Sequence, residues 1–335
     1  MAPESSTSVL VTGASGFVGL NCVEHILRLG NRVVAVSSDD VPAEARAEFA
    51  TLPGELLIVR ADVTDAPRLR EIVANSGVEV LIHGAAITAN DERSRSEGDR
   101  VIDVNIQGTQ NVLDAAARTG SIRRIVYISS AAVYGGATFD SLRIDEATPP
   151  DPRTLYGITK LAGEMLTRRH GELHGTEVVA ARLSAVFGPW ERDTGVRDLL
   201  SPLYQLSRAA RSGTAVALPE HDAGRNWLYS RDAASALARL SVGALPQHFL
   251  YNVAPSSTFK VEAWAQRLEA AYPAWRVAGG REEGGALSFD TDPSRRRTTV
   301  SNDRLQAEMT QWPRYEPNLA FDDCLSWLDR HEDWP

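Results

Sequence analysis

Residues 11–19 read VTGASGFVG, and this stretch decides the fold. It closes an apolar run, SVLVTG (8–13), and leads into GFVGLNCVEHILRLG (16–30), whose apolar residues recur at helical spacing. Gly13, Gly16 and Gly19 stand where strand becomes helix. Gly13 permits the tight turn, Gly16 lets a pyrophosphate approach the backbone, and Gly19 lets the helix lie close on the sheet. The N–H groups that open the helix then face an anion. Because strand, glycines and helix coincide, the stretch reads as a dinucleotide-binding loop. Its candidate contacts are Gly13, Ser15, Gly16, Phe17, Val18 and Gly19.

Outward from that loop the same rhythm continues to residue 184. RVVAVSS (32–38), ELLIVRAD (55–62), VEVLIHGAA (78–86), RRIVYISS (123–130) and TEVVAARLS (176–184) are runs of strand length, rich in Val and Ile. Between them DAPRLREIVANSG (65–77), DRVIDVNIQGTQNVLDAAARTG (99–120) and RTLYGITKLAGEMLTRRHGELHG (153–175) have helical spacing. Gly30, Gly77, Gly120 and Gly175 stand where these helices would stop. Near-continuous apolar strands separated by helices imply an α/β fold, a Rossmann-type doubly wound parallel sheet.

After Pro189 the rhythm breaks. Helices expected near 197–211, 230–241, 260–271 and 318–330 alternate with short strands such as HFLYNV (248–253). That is the texture of a smaller C-terminal α/β substrate-binding domain capping the strand ends, where ligands bind in such sheets. The expected division is 1–183 for the Rossmann domain, joined by 225–252, with 184–224 and 253–335 forming the smaller, interleaved one.

Bulk properties bound the function. The chain is 43% hydrophobic and 24% charged, with no apolar run long enough to cross a bilayer. Its net charge of −9 argues against a nucleic-acid partner, which needs a basic face. The cluster Arg295-Arg296-Arg297 reads as solvated surface. Two cysteines, Cys22 and Cys324, give no disulfide framework, and Cys22 in NCVEHIL reads as a small buried hydrophobe. The leader MAPESSTS has neither a basic segment nor an apolar one, so the expected location is cytoplasmic.

The chemistry is carried by three residues. Tyr156 and Lys160 lie four apart on one helix and therefore share a face. A tyrosine is a poor base at neutral pH, but a nearby ammonium stabilises its phenolate. Ser130 ends the preceding strand beside the expected cofactor crevice. Ser130 would bond the reacting oxygen, Tyr156 exchange its proton, and Lys160 hold both Tyr156 and the cofactor ribose. At the other end of the crevice an acid for the adenosine ribose is expected about 20 residues beyond the loop. Ser37 and Ser38 stand there, followed by Asp39 and Asp40. Serines would hold a 2′-phosphate and the carboxylates would repel it, so NAD and NADP both stand as cofactors.

TGASGFVG, HGAA, DVNIQGTQNVLDAA, YISSAAVYG, YGITK, RLSAVFGP and RNWLYSRDAA occur in this order. In that series the chain resembles the extended short-chain dehydrogenase/reductases, the NAD-dependent epimerase/dehydratase proteins, over nearly its whole length. The resemblance implies that Asp62 and Val63 flank the adenine, Ala85 and Ala86 line the cofactor, and Asn105 supports the active-site helix. It also implies a homodimer joined through the helices that hold Asn105 and Tyr156. Similar sugar 4,6-dehydratases carry an Asp-Glu pair directly after the serine or threonine, and related decarboxylases keep a Glu there. Here Ala131 and Ala132 stand at those positions, which disfavours elimination and decarboxylation. Relatives acting on nucleotide sugars carry an asparagine where this chain has Ala185. Arg225 matches their phosphate-binding arginine and suits a carboxylate or sugar hydroxyl equally.

The resulting expectation is an NAD(P)-dependent oxidoreductase moving a hydride at a carbinol or ketone carbon of a sugar, sugar acid or nucleotide sugar. A nucleotide-sugar 4-epimerase needs the same residues and is the alternative. A non-catalytic dinucleotide sensor would not need Ser130, Tyr156 and Lys160 together. Expected substrate contacts are Thr88, Ser130, Ala131, Trp190, Arg192 and Arg225. The stretch TANDERSRSEGD (88–99) reads as a solvated loop, and Trp312, Trp327 and Trp334 as packing anchors. His170 and His174, at i and i+4, read as a solvated helix end with no third metal ligand.

Overall fold

The computed structural model describes residues 6–140, 143–198, 200–218, 222, 224–278, 285–287, 298–332 and 334. Its centre is a seven-stranded sheet of β1 (Ser8–Thr12), β2 (Arg32–Ser37), β3 (Leu56–Arg60), β4 (Val80–His83), β5 (Arg124–Ser130), β6 (Glu177–Leu183) and β7 (Leu250–Val253). The spatial order is β7-β6-β5-β4-β1-β2-β3, with every neighbouring pair parallel. Alternate residues of each strand feed separate cores. Val9, Val11, Val33 and Ile82 join one cluster, while Leu10, Val34, Leu81 and Ile125 join another. A period of two on a sheet covered on both faces produces this division. Only at the edge strand β3 do apolar side chains reach solvent, with Leu57 and Ile58 exposed.

Helices α1 (Phe17–Arg28), α2 (Ala43–Phe49) and α3 (Ala66–Ser76) follow the first three strands. The glycines expected to end helices adopt left-handed φ of 77° at Gly30, 63° at Gly77, 63° at Gly120 and 69° at Gly175. Two sequence expectations need correction. The stretch read as a solvated loop is helical: α4 (Asp91–Ser96) starts where Asn90 Oδ1 accepts the Arg93 N–H at 2.8 Å, with acids in its first turn and arginines in its last. The expected helix 99–120 is α5 (Gly98–Ile102) and α6 (Gly108–Thr119), joined by a π-helical turn over Asp103–Gln107.

Beyond α7 (Leu155–His174) come α8 (Pro202–Ser212), α9 (Ser230–Val242), α10 (Val261–Ala271), α11 (Asp303–Glu308) and α12 (Pro317–Arg330). The helix expected from 197 starts only at Pro202, because Ser201 caps it and proline suits its first position. Residues 196–198 instead pair with Thr88. β7, from the late part of the chain, completes the sheet beside β6, and α9 packs on α1. Cys22 is fully buried and its thiol is pushed up to about 12 by burial, so it is inert packing. Trp312, Trp327 and Trp334 are also buried. His170, expected at a solvated helix end, is buried as well, with only His174 exposed. Arg295, Arg296 and Arg297 lie outside the described residues. Among the described residues no helix is long and apolar enough to cross a membrane.

Candidate active site

β1, β4 and β5 end side by side, and the groove over their ends is the site. The turn after β1 holds Gly13 at φ 69°, and a Cβ there would lie 2.7 Å from the Ala85 nitrogen. Only glycine lets the two chain segments meet this closely. Gly16 caps α1 without any side-chain bond, so the first-turn N–H groups of the helix open into the groove. Ser15 N–H donates to Ser37 Oγ at 2.8 Å, tying the loop to the end of β2. Gly13, Ser15, Gly16, Ser37, Ser38, Asp62, Val63, Ala85 and Ala86 line one continuous cleft, with Asp39 beside Ser38. A dinucleotide fits these residues: a glycine cradle with a helix N-terminus for the diphosphate, and hydroxyls for a ribose.

The floor is fastened from below. His83 bridges Thr12 Oγ1 at 2.7 Å and Thr109 Oγ1 at 2.9 Å. Burial, with Lys160 adding to it, pulls its imidazole down to about 3, so it stays neutral. Asn105, in the π-helical turn, accepts the Ile87 N–H at 2.8 Å and donates to Ile87 O at 3.0 Å and Thr159 Oγ1 at 2.9 Å. It thereby couples the β4 loop to α7. Asn105, grouped by the resemblance with the cofactor residues as the support of the active-site helix, does not line the cleft and acts as a positioning residue.

The groove continues to Ser130, Tyr156, Lys160 and Thr88, with Phe17, Val18 and Gly19 on the facing wall. Thr154 Oγ1 caps α7 by accepting the Gly157 N–H at 3.1 Å, which sets Tyr156 in the first helical turn and Lys160 one turn on. Burial pushes the Tyr156 phenol up, while hydrogen bonds with Ser130 and Thr88 and the charge of Arg197 pull it down. Burial pulls the Lys160 ammonium down to about 8, against Glu164, which holds it up. One layer deeper, Glu164 accepts from Ser129 Oγ at 2.5 Å and pairs with both ends of the Arg182 guanidinium at 2.8 and 2.7 Å. Ser130 therefore projects from a strand end braced by a buried ion pair.

Next to Ser130 opens a cavity of about 320 Å³. Ala131, Ala132, Arg153, Ser184, Ala185 and Arg225 are among its walls. Its volume suits a small polar ligand. No Asp or Glu lines this cavity or the cleft around Tyr156 among the described residues.

A family model, the NAD dependent epimerase/dehydratase family, matches residues 9–254. The chain belongs to that family. Members' cofactor is NAD, which agrees with the glycine cradle described above. A dTDP-glucose 4,6-dehydratase of Streptomyces griseus is 27% identical over 98% of this chain and 96% of its own. UDP-glucuronate 4-epimerase 6 of Arabidopsis thaliana is 32% identical over 55% of this chain and 41% of its own. Among solved structures, MoeE5 in complex with UDP-glucuronic acid and NAD superposes with a TM-score of 0.77 at 23% identity, covering 97% of this chain and 99% of that one. The expectation that dehydration is disfavoured draws no support from these relatives, since dehydratases and epimerases both occur among them.

Within this epimerase/dehydratase frame, the sequence-derived substrate residues divide. Thr88, Ser130, Ala131 and Arg225 line the site. Trp190 does not. It is 0% exposed, packs edge-on against Phe49, Trp327 and Trp334, and donates Nε1 to Glu24 at 2.6 Å. An indole with a buried polar partner on offer goes into the core. Arg192 lies in the cleft at the Ser38–Asp39 end, away from the Ser130 cavity. Among the lining residues that the sequence did not single out, Arg153, Arg197 and Ser184 carry chemistry. Arg153 stands three before Tyr156, a position that signals proximity. Arg197 reaches the Tyr156 cleft from a loop, without local signal. Ser184 lines both the cavity and the Tyr156 cleft, and its buried Oγ has no hydrogen-bond partner among the described residues.

Proposed function

We propose that this protein interconverts a carbinol and a ketone on a sugar-like substrate by hydride transfer, without expelling water or carbon dioxide. The observation that carries this is the cavity wall: Ala131 and Ala132 follow Ser130, and no carboxylate faces the cavity among the described residues. Elimination needs an acid or base at the carbons beside the transient ketone, and methyl groups supply neither. Bound NAD would supply the hydride acceptor. Ser130 holds the substrate oxygen, and Tyr156 takes the hydroxyl proton as the carbon–hydrogen bond breaks and the carbonyl forms. Arg197 lends positive charge to the Tyr156 oxygen as it changes protonation, and the Lys160 ammonium lies 5.8 Å from the centre of the Tyr156 ring. Arg225 on the cavity wall favours a substrate with an anionic end, as in a sugar acid or nucleotide sugar, whereas the Arg153 guanidinium is already paired with Asp151.

A second reading, 4-epimerisation, uses the same groups and requires the cofactor to stay bound between oxidation and reduction. The loop Arg192–Arg197, which walls the groove along its length, favours it. Exposed Ile158 and Met165 on α7 support the homodimer implied by resemblance, to be checked by sedimentation.

The test is incubation of the purified protein with NAD and UDP-glucose, UDP-glucuronate or the free sugar acids. Nicotinamide absorbance and product mass are then followed. Net reduction of nicotinamide supports oxidoreduction, and an isomer of unchanged mass supports epimerisation. A product lighter by water or carbon dioxide would sink the proposal.

A further inference from the structure

We propose that the segment Arg192–Arg197 is a roof over the cofactor groove, and that the Asp198–Arg93 ion pair is the latch that sets how long the cofactor stays bound. The inference rests on the dinucleotide reading of the groove and extends it to cofactor exchange.

The segment spans the groove from one bank to the other. On the α1 bank, Trp190 is sunk among aromatic rings and bonded to Glu24, and the Arg197 guanidinium lies 4.9 Å from the centre of the Phe17 ring. On the β4 bank, Thr88 N–H donates to Val196 O at 2.8 Å. Between these points Arg192, Thr194 and Val196 face the same cleft as Gly13, Gly16 and Ala85. A ligand lying along the glycines therefore lies beneath them.

The two attachments differ in kind. The α1 side is a hydrophobic anchor. It is reinforced by Glu191, whose buried carboxylate accepts from Ser201 N–H and Oγ at 2.6 and 2.7 Å and pairs with Arg197 at 3.0 Å. Such an anchor opens only with the core around it. The β4 side is a short polar contact. Asp198 Oδ1 accepts from Arg93 Nε at 2.7 Å and Oδ2 from Asn90 N–H at 2.8 Å, with the carboxylate 9% exposed. Arg93 and Glu97 of the opposite bank line the cleft beside the roof. Opening at this side breaks the Asp198–Arg93 pair, the Asn90–Asp198 bond and the Thr88–Val196 bond while the Trp190 anchor holds, and it exposes the groove beneath Arg192, Thr194 and Val196. The latch residues touch none of Ser130, Tyr156 or Lys160, so they act on residence and not on proton transfer.

The experiment loads the full-length protein with NADH and chases it with excess NAD, reading dissociation by nicotinamide fluorescence in a stopped-flow instrument. Wild type is compared with Asp198→Ala, Arg93→Met, the double variant, and Asp198→Asn, which keeps an acceptor for Asn90 N–H. Melting temperatures check that each variant is folded. The expected result is dissociation about tenfold faster in either single variant. The double variant should be no faster than the singles, because one pair is being broken. Folded variants whose dissociation matches wild type overturn the latch, as do singles whose effects add fully. A wild-type protein that binds no NADH overturns both this inference and the reading beneath it. A latch without effect, in a protein that still binds NADH and turns over, overturns the inference alone.

Discussion

Lys160 donates from Nζ to the carbonyl oxygen of Ile128 at 2.8 Å, in surroundings that leave it 3% exposed. An ammonium so deeply placed is a cost to folding that catalysis requires. Its ordinary value of 10.5 falls to about 8 because burial disfavours the charge. Between pH 8 and 10.5 the folded state thus holds fewer protons than the unfolded one, and this group's contribution rises with pH across that window. Lys160→Met should therefore be more stable than wild type at pH 7 by about 2 kcal/mol, after the lost bond to Ile128 is discounted. The advantage should shrink as pH approaches 10. Urea unfolding at the two pH values measures it, and turnover should fall at least about a hundredfold.

Tyr156→Phe keeps the ring and removes the proton. Turnover should drop by about a thousandfold, while NADH affinity measured by fluorescence titration stays unchanged. Wild-type-like turnover in this variant would remove Tyr156 from the mechanism.

Ser184 carries a buried hydroxyl with no partner among the described residues, and a substrate group is its natural complement. Ser184→Ala should raise KM for the correct substrate by about fivefold to tenfold, consistent with one hydrogen bond of about 1 kcal/mol. The melting temperature should hold or rise, since an unsatisfied group is removed. A drop in stability with unchanged KM would mean the hydroxyl serves packing instead.

Trp190 separates core from site. Trp190→Phe forfeits the bond to Glu24 and some ring contact, at about 1–3 kcal/mol by denaturant unfolding. KM for substrate should not move, because the indole does not reach the cavity. A selective rise in KM would return Trp190 to the substrate side.

The layered sheet and the groove were legible because they depend on local chemistry. Continuous Val and Ile runs, glycines at turns and a Tyr/Lys pair at helical spacing each dictate structure within a few residues. The failures were of another kind. GPWERDTG (188–195) and the Val196-Arg197 that follow are rich in chemically capable side chains, and nothing local distinguishes Trp190, which turns into the core, from Arg197, which reaches the cleft beside Tyr156. That choice is made by Phe49, Trp327 and Trp334, far away in sequence. Asn105 was tied to the right helix, but its π-helical turn and its grip on Ile87 depend on tertiary contacts that helical periodicity does not encode. The charged stretch after Thr88 was misread because its mixed charge hid Asn90, an ordinary helix cap.

Trp334 donates Nε1 to the carbonyl of Glu191 at 2.8 Å, across 143 residues of chain. The anchor of the glycine loop's cover thus depends on a residue far along the chain from the loop itself. Glu191, which accepts from Trp334, also holds Arg197 and Ser201, so the far segment and the wall of the groove are mechanically joined.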